Sequence, residues 1–162
     1  MAIYLNEDDV RAIQRVLVDL LVRSESDCCL LCDSGGNVMA HEGMDPRSDP
    51  FLISALGAGV FAASRELARL LGENEFSAVF HQGEKKSIFI RAVDHDVLLV
   101  NIFSRSGSLG LVKLYATPAA HDLALWLAGI RVRPRAAGRA SSPAFQAASE
   151  SAIFSAVKPS SG

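Results

Sequence analysis

The feature that most constrains this chain is a long apolar segment between Pro50 and Phe76. No charged side chain occurs from Pro50 to Ser64. Apolar and small residues recur along the segment at steps of three and four, which is the period of an α-helix that buries one side. The residues of this stripe are Leu52, Ala55, Leu56, Gly59, Ala63, Leu67, Leu70 and Leu71. The sequence therefore predicts a long helix with this stripe as one buried face.

Residues outside the stripe are apolar or small as well. Ile53, Ala58, Phe61 and Ala62 lie on other sides of the same helix, so its first half needs cover on more than one side. A monomer supplies one cover. We expect the second cover to come from another protein.

Charge is divided unevenly along the chain. Residues 1–130 hold 11 Lys and Arg against 17 Asp and Glu, a net charge of −6, whereas residues 131–162 hold 5 against 1, a net charge of +4. With 162 residues, 49% of them apolar, the chain is large enough for one packed domain and a tail. Nucleic-acid binding depends on neutralising phosphates, so an acidic body argues against it.

Neither a membrane span nor a secretory signal is predicted. The uncharged run from Pro50 to Ser64 is shorter than the roughly 20 residues that cross a bilayer. The N-terminal region carries Glu7, Asp8 and Asp9 rather than a basic segment before an apolar one. We expect a cytoplasmic protein without membrane insertion.

The three cysteines occur together as Cys28, Cys29 and Cys32. Their segment, CCLLC, is typical of a buried strand, which would point Cys29 and Cys32 to opposite faces and separate Cys28 from Cys32 by about 13 Å. A disulfide needs Cα atoms within about 7 Å, and no second ligand pair for zinc accompanies them. We expect three reduced, buried thiols.

The remaining segments predict the element order αββαβββα. A helix capped by Asn6 and running to about Arg23 precedes a hairpin whose turn is Asp33–Asn37. Asp49 or Ser48 caps the long helix, and Gly72 ends it. Three further strands follow, predicted over 76–81, 87–92 and 97–103. Connections this short require antiparallel neighbours, so the predicted fold class is α+β, with an antiparallel five-stranded sheet flanked by helices.

The last part of the chain is predicted to be less regular. A final helix begins near Ser108, and Pro118 is expected to kink or break it before it resumes from Ala119 to Ile130. We assign residues 1–130 to one domain and 131–162 to an Arg/Ala/Ser/Pro-rich tail. Within the tail, residues 144–157 have roughly helical spacing but are too few to fold without a partner.

The sequence contains no recognisable catalytic or cofactor site. Gly57 and Gly59 lie inside a helix rather than in a phosphate-binding loop, and no Gly-Lys-Ser/Thr follows. The four histidines lack metal-ligand spacing. Ser104, Ser106 and Ser108 lack the context of a nucleophile elbow, which favours helix capping. We predict no catalytic residue, cofactor or metal.

Several motifs together resemble one family. The segments LxDSGGNVMA, ALGAGVFAASRELARLLGENEF, FHQG and VLLVNIFSRSGSLGLVKL, in this element order, resemble the Roadblock/dynein light chain family. Within it, GENEF, FHQG and SLGLV are similar to the MglB-like branch. The resemblance covers about Glu7 to Leu127.

The resemblance implies a bacterial GTPase regulator rather than an enzyme. In that branch a homodimer pairs its long helices antiparallel, joins its two sheets, and stimulates GTP hydrolysis by a Ras-like, MglA-type small GTPase without an arginine finger. The process is gliding motility and cell polarity, with recruitment to a cell pole. By position, the implied GTPase-facing residues are Ala55, Ala58, Gly59, Ala62 and Glu66, with Phe145, Ile153 and Phe154 as anchors in the tail.

One departure from the family pattern leaves an alternative open. Arg65 and Glu66 bring bulk and charge to a position that the family fills mostly with small residues, so a partner must pair them or remove their water. A scaffold or adaptor that binds a GTPase or another Roadblock protein without stimulating hydrolysis is therefore a second hypothesis.

Overall fold

Eight elements follow one another in the predicted order αββαβββα. The computed structural model describes residues 3–104 and 106–134. The helices are α1 (Glu7–Arg23), α2 (Pro50–Leu70) and α3 (Leu109–Arg131), and the strands are β1 (Cys28–Asp33), β2 (Val38–Glu42), β3 (Ala78–Gln82), β4 (Lys86–Ala92) and β5 (Val97–Ser104). The predicted α+β fold class is confirmed.

The five strands form one antiparallel sheet in the order β2-β1-β5-β4-β3. Successive side chains of a strand point to opposite faces, and β1 shows this clearly. Cys29 and Leu31 join the core under α1 and α3, whereas Cys28, Leu30 and Cys32 join the core under α2. Among the described residues, two helices therefore cover one face of the sheet, and α2 alone covers the other.

Side-chain caps fix where the helices begin, as predicted. Asp9 donates its backbone N–H to Asn6 Oδ1 at 2.8 Å, and Asn6 donates its own to Asp9 Oδ2 at 3.0 Å, a reciprocal capping box. Asp49 Oδ1 accepts from the backbone N–H of Phe51 at 2.9 Å. At the other end of α2, Gly72 takes a φ of 75°, which a glycine adopts without strain.

The expected break at Pro118 does not occur. α3 is one helix from Leu109 to Arg131 with Pro118 inside it. Proline has no N–H to donate to the carbonyl of Leu114, yet the helix is anchored on both sides of this gap. Val112, Ala116, Ala119 and Leu123 are all buried against the sheet, because their spacing keeps one apolar face in contact with it. The free energy gained by packing this face therefore outweighs the free energy lost to the missing hydrogen bond and the proline ring.

α2 has 21 residues and is long and apolar enough to cross a membrane by length and composition alone. The prediction of no membrane span rests on its uncharged run, which ends at Ser64. In the fold, the buried side of α2 packs on the sheet, where Ala58 and Phe61 join the core of that face.

The chain divides into two units. Met1–Val132 is one compact unit, and Arg133–Gly162 is the other. All but the first two residues of the second unit lie outside the described residues, as does the predicted 144–157 helix.

Candidate partner-binding surface

The side of α2 that lies on the sheet is lined by small residues and one phenylalanine. The buried residues are Ser54, Gly57, Ala58, Phe61 and Ala68. A Cβ built on Gly57 would lie 3.6 Å from Ile90 Cδ1, so the helix backbone runs close to the sheet. This side does not include the leucine stripe that was expected to be buried.

A hydrogen bond and a close turn fix this rotation of α2. Ser54 Oγ donates to the carbonyl of Gly36 at 2.6 Å. Gly36 has a φ of 86°, and a Cβ there would come within 2.7 Å of Ala55 Cα. Only glycine allows this approach, so the β1–β2 turn holds the Ser54 side of the helix inward and turns the leucines outward.

The outward side of α2 carries an exposed leucine stripe. Leu52, Leu56, Leu67, Leu70 and Leu71 are between 52% and 73% exposed. Monomeric soluble proteins rarely leave so continuous an apolar surface uncovered, and such surfaces mark sites of association. The leucine stripe is therefore the side of the helix that lacks a cover within this chain's described residues.

A second exposed strip, made of small residues, runs beside the leucines. Ala55, Gly59, Ala62 and Glu66 follow one another at steps of four, three and four, so they share a face of the helix, and all four are exposed. Apart from Gly59 itself, its chain neighbours and the backbone of its own helix, no heavy atom of the described residues lies within 4 Å of a Cβ built on Gly59. Ala58, which was expected on the same strip, is only 5% exposed. It belongs to the core because its position turns it toward the sheet.

Arg65 is turned back onto its own domain. Its Nε lies 3.1 Å from Glu75 Oε1 and its Nη2 donates to the carbonyl of His95 at 2.8 Å. The guanidinium also lies over the Phe61 ring, 5.2 Å from the centroid. Its bulk and charge are therefore held at the side of α2, away from the small strip.

Glu66 remains on the exposed surface. Its Oε2 lies 3.0 Å from Arg69 Nη2, and both side chains are about 70% exposed. An exposed pair of this kind holds its partners weakly. Glu66 is thus free to exchange Arg69 for a cation on a partner.

A polar cluster joins three segments at the far end of the sheet, and sequence reasoning missed it. Lys86 Nζ lies 2.7 Å from Asp27 Oδ2 and 3.3 Å from Ser104 Oγ, and the Ser104 hydroxyl donates to Asp27. Partial burial acts to raise the pKa of Asp27, but the hydrogen bonds from Lys86 and Ser104 and the charge of Lys86 outweigh it, so the pKa lies below its ordinary value. The cluster ties β4 and β5 to the residue before β1. Ser108, rather than Ser104, caps α3.

Residues 13–103 match the Roadblock/LC7 domain, over more than half of the chain. The chain belongs to the Roadblock/LC7 family. It is 30% identical to an uncharacterised protein of Aquifex aeolicus over 122 residues, 74% of this chain and 75% of that protein. Its fold is similar to that of Myxococcus xanthus MglB, with a TM-score of 0.75 and 31% identity over 82% of this chain and 99% of that one. It is also similar to a gliding protein MglB from Thermus thermophilus, with a TM-score of 0.74 and 31% identity over 79% and 97%.

The motifs that carry the Roadblock/LC7 resemblance build the scaffold. In GENEF, Gly72 ends α2 and Glu75 pairs with Arg65. In FHQG, Phe80 stacks on Phe103 with ring centroids 6.1 Å apart, and a Cβ on Gly83 would collide with the carbonyl of Lys86. Gly72 and Glu75 thus act at the end of α2, whereas Phe80 and Phe103 pack in the core under α1 and α3.

The described residues bring together only part of the predicted surface. Ala55, Gly59, Ala62 and Glu66 share one exposed strip, whereas Ala58 and Arg65 face their own domain. Phe145, Ile153 and Phe154 lie outside the described residues. Among residues 3–104 and 106–134, no group of three or more His, Cys, Asp or Glu side chains is arranged to hold a metal ion.

Proposed function

We propose that this chain is a homodimeric regulator of a Ras-like small GTPase of the MglA type, and that it stimulates GTP hydrolysis by rearranging the GTPase's own catalytic groups. The observation that carries the proposal is the exposed surface of α2, which is free of charge from Pro50 to Ser64, on a fold similar to that of MglB. The setting would be the cytoplasm, in gliding motility and cell polarity, with recruitment to a cell pole.

The two strips of α2 support two separate contacts. The leucine stripe offers the large apolar side chains that homodimer interfaces bury, so we assign it to the α2 helix of a second copy, paired antiparallel. The small strip lets a partner backbone approach closely, so we assign it to the GTPase. The dimer then presents two copies of the small strip side by side.

The contacts of Arg65, beside the small strip, favour regulation without an arginine finger. Arg65 is held by Glu75 and the carbonyl of His95, whereas Arg69 forms only a weak, exposed pair with Glu66. Inserting Arg65 into a GTPase active site would first break two contacts within its own domain. Rearrangement of the GTPase's own residues requires no such loss.

The test is phosphate release by the cognate MglA-type GTPase, loaded with GTP, with and without this protein. We expect faster release with the wild-type chain. Glu66→Arg should abolish GTPase binding and the stimulation while leaving the dimer intact. Asp122→Arg, the same charge change on the exposed side of α3, is the matched control and should behave like the wild type.

The same assay separates the alternatives. Binding without faster hydrolysis would favour the adaptor hypothesis, for which exposed Glu66 is the supporting feature, and no binding at all would contradict both.

The tail anchors are tested by replacing Phe145, Ile153 and Phe154 with alanine. We expect weaker GTPase binding, and unchanged binding would remove the tail from the proposal.

A further inference from the structure

Arg91 on β4 carries a cationic group that the described residues do not pair. Its Nε is buried and has no hydrogen-bond acceptor among residues 3–104 and 106–134, and no acidic side chain of those residues forms an ion pair with its guanidinium. The residues opposite it on the neighbouring strands, Ala78 and Leu99, offer no side-chain acceptor. Native proteins rarely leave a buried donor unsatisfied, because its lost hydration is not replaced. The surroundings of Arg91 therefore favour an acceptor from outside the described residues.

The acidic residues that follow Arg91 in sequence are held by other groups. Asp94 Oδ2 lies 2.8 Å from Arg131 Nη1, and Asp96 Oδ2 lies 3.6 Å from Arg131 Nη2. The side chains of Asp94 and Arg131 are 18% and 29% exposed, so water screens this pair less than it screens the exposed pairs on α1. Asp94 Oδ1 also accepts the backbone N–H groups of Asp96 and Val97 at 2.8 and 2.9 Å. These carboxylates therefore hold the β4–β5 turn to α3 and do not neutralise Arg91.

Arg91 lines a cleft between β4 and α3. The cleft has a volume of about 470 Å³, which is within the range of small-molecule sites. The other lining residues are mostly apolar and include no acidic side chain; they are Ala92, Val93, Thr117, Pro118, Ala120, His121 and Ala124. The Thr117 hydroxyl donates to the carbonyl of Lys113 at 2.8 Å. The side-chain donors that remain on the walls are the guanidinium of Arg91 and the exposed ring of His121.

The charge and the walls of the cleft select a class of ligand. A guanidinium presents two parallel N–H groups that match the two oxygens of a carboxylate. A carboxylate carries one negative charge, which one arginine balances, whereas a phosphate monoester carries about −1.5 to −2 at pH 7. The additional charge of the phosphate would lie in the cleft without a second arginine, and an unpaired charge removed from water is costly. The apolar walls beyond Arg91 match an apolar body attached to the carboxylate.

We propose that the cleft binds a small organic monocarboxylate, with its carboxylate on Arg91 and a short apolar body against Ala120 and Ala124 of α3. The site lies on the α1 and α3 side of the sheet, where Phe89 of the same strand joins the core. None of its lining residues belongs to α2. The inference therefore goes beyond the proposed regulation of a GTPase and does not depend on it.

Titration of the full chain with acetate, pentanoate and butyl phosphate, followed by calorimetry, tests the site. Pentanoate and butyl phosphate carry the same four-carbon chain, so they differ in the charged group. We expect pentanoate to bind saturably and about tenfold or more tightly than acetate, because the apolar walls bury its chain. We expect butyl phosphate to bind about threefold or more weakly than pentanoate, because its additional charge has no partner in the cleft.

Variants of the cleft separate its two parts. Arg91→Gln removes the cation and should weaken pentanoate binding about tenfold or more. Arg47→Gln, the same change at a side chain that is 90% exposed and outside the cleft, is the matched control and should bind like the wild type. Ala124→Leu fills part of the cleft and should weaken the binding of pentanoate more than that of acetate, a dependence on chain length that general destabilisation does not produce. Circular dichroism of each variant excludes unfolding as the cause.

Other results would overturn the proposal in distinct ways. If pentanoate does not bind saturably, or binds equally to the wild type and to Arg91→Gln, the cleft is not a carboxylate site. Tighter binding of butyl phosphate than of pentanoate would contradict the choice of a carboxylate. If pentanoate binds only to Glu150→Gln, which removes the acidic side chain of residues 131–162, the chain's own glutamate occupies the cleft and the proposal is wrong. Each of these results leaves the test of GTP hydrolysis unaffected, because that test reports on α2.

Discussion

Cys28, Cys29 and Cys32 show how burial controls the chemistry of single residues. All three are unpaired thiols and at most 4% exposed. Burial, aided by the nearby charge of Asp27, raises the pKa of Cys28 to about 11. Burial also raises the pKa of Cys29 and of Cys32. The thiolate is the reactive form, so these residues are inert in the folded protein despite their CxxC spacing.

We predict that folding stability falls in alkaline solution partly because of Cys28. The unfolded chain releases the proton near the ordinary pKa of 9.0, whereas the folded chain holds it to about pH 11. The contribution of the Cys28 thiol to the free energy of unfolding is therefore fully present below pH 9 and is lost as the pH rises toward 11. Urea unfolding at pH 8 and pH 10 should show a smaller decrease for Cys28→Ala than for the wild type. Equal decreases in the free energy of unfolding for the two proteins would contradict a contribution from Cys28.

Arg65 marks the limit of residue-level prediction. The sequence identifies it as bulk and charge at a surface expected to be apolar. It could not reveal the contact with His95, because 30 residues separate the two and only the fold brings them together. The buried thiols were predictable because strand alternation is local, whereas the role of Arg65 depends on tertiary contacts.

Among the elements, α3 carries an unusual interior proline. We predict that Pro118→Ala stabilises the protein by about 1–2 kcal/mol, because alanine restores a hydrogen bond to the carbonyl of Leu114 and removes the ring, less the entropy that proline removes from the unfolded chain. Thermal unfolding should show a higher midpoint. Thr117→Ala, one residue away, keeps the proline and should not raise the midpoint. A lower midpoint for Pro118→Ala would mean that its ring makes packing contacts that outweigh the missing bond.

α2 shows what periodicity determines and what it leaves open. Local sequence predicts the helix, its Asp49 cap and its end at Gly72. It also predicts that more than one side of the helix must pack against other residues. Its rotation does not, because leucines and small residues both repeat at helical spacing. The Ser54 hydrogen bond to Gly36 and the close approach of Gly57 select the side that packs, and both depend on segments distant in sequence.

At the scale of the whole molecule, the leucine stripe predicts that stability depends on concentration. If two chains bury it together, the dimer is favoured by mass action, so the thermal midpoint should rise with protein concentration. Leu56→Asp introduces a charge at a side chain that is 63% exposed in the monomer. We expect this variant to stay folded, to sediment as a monomer, and to lose the concentration dependence. Val22→Asp, at an exposed site on α1, is the control and should keep it.

The strand order has a consequence for how the chain folds during synthesis. β5 lies in the middle of the sheet, between β1 and β4, yet it is the last of the described strands to leave the ribosome. Until residue 104 emerges, the nascent chain can form only two separate hairpins, β1–β2 and β3–β4, each with an open edge where β5 belongs. Sheets closed by such distant pairings fold slowly, and open strand edges are prone to aggregate. We therefore expect the nascent chain to be most prone to aggregate after β4 has left the ribosome and before β5 is available to pair with β1 and β4.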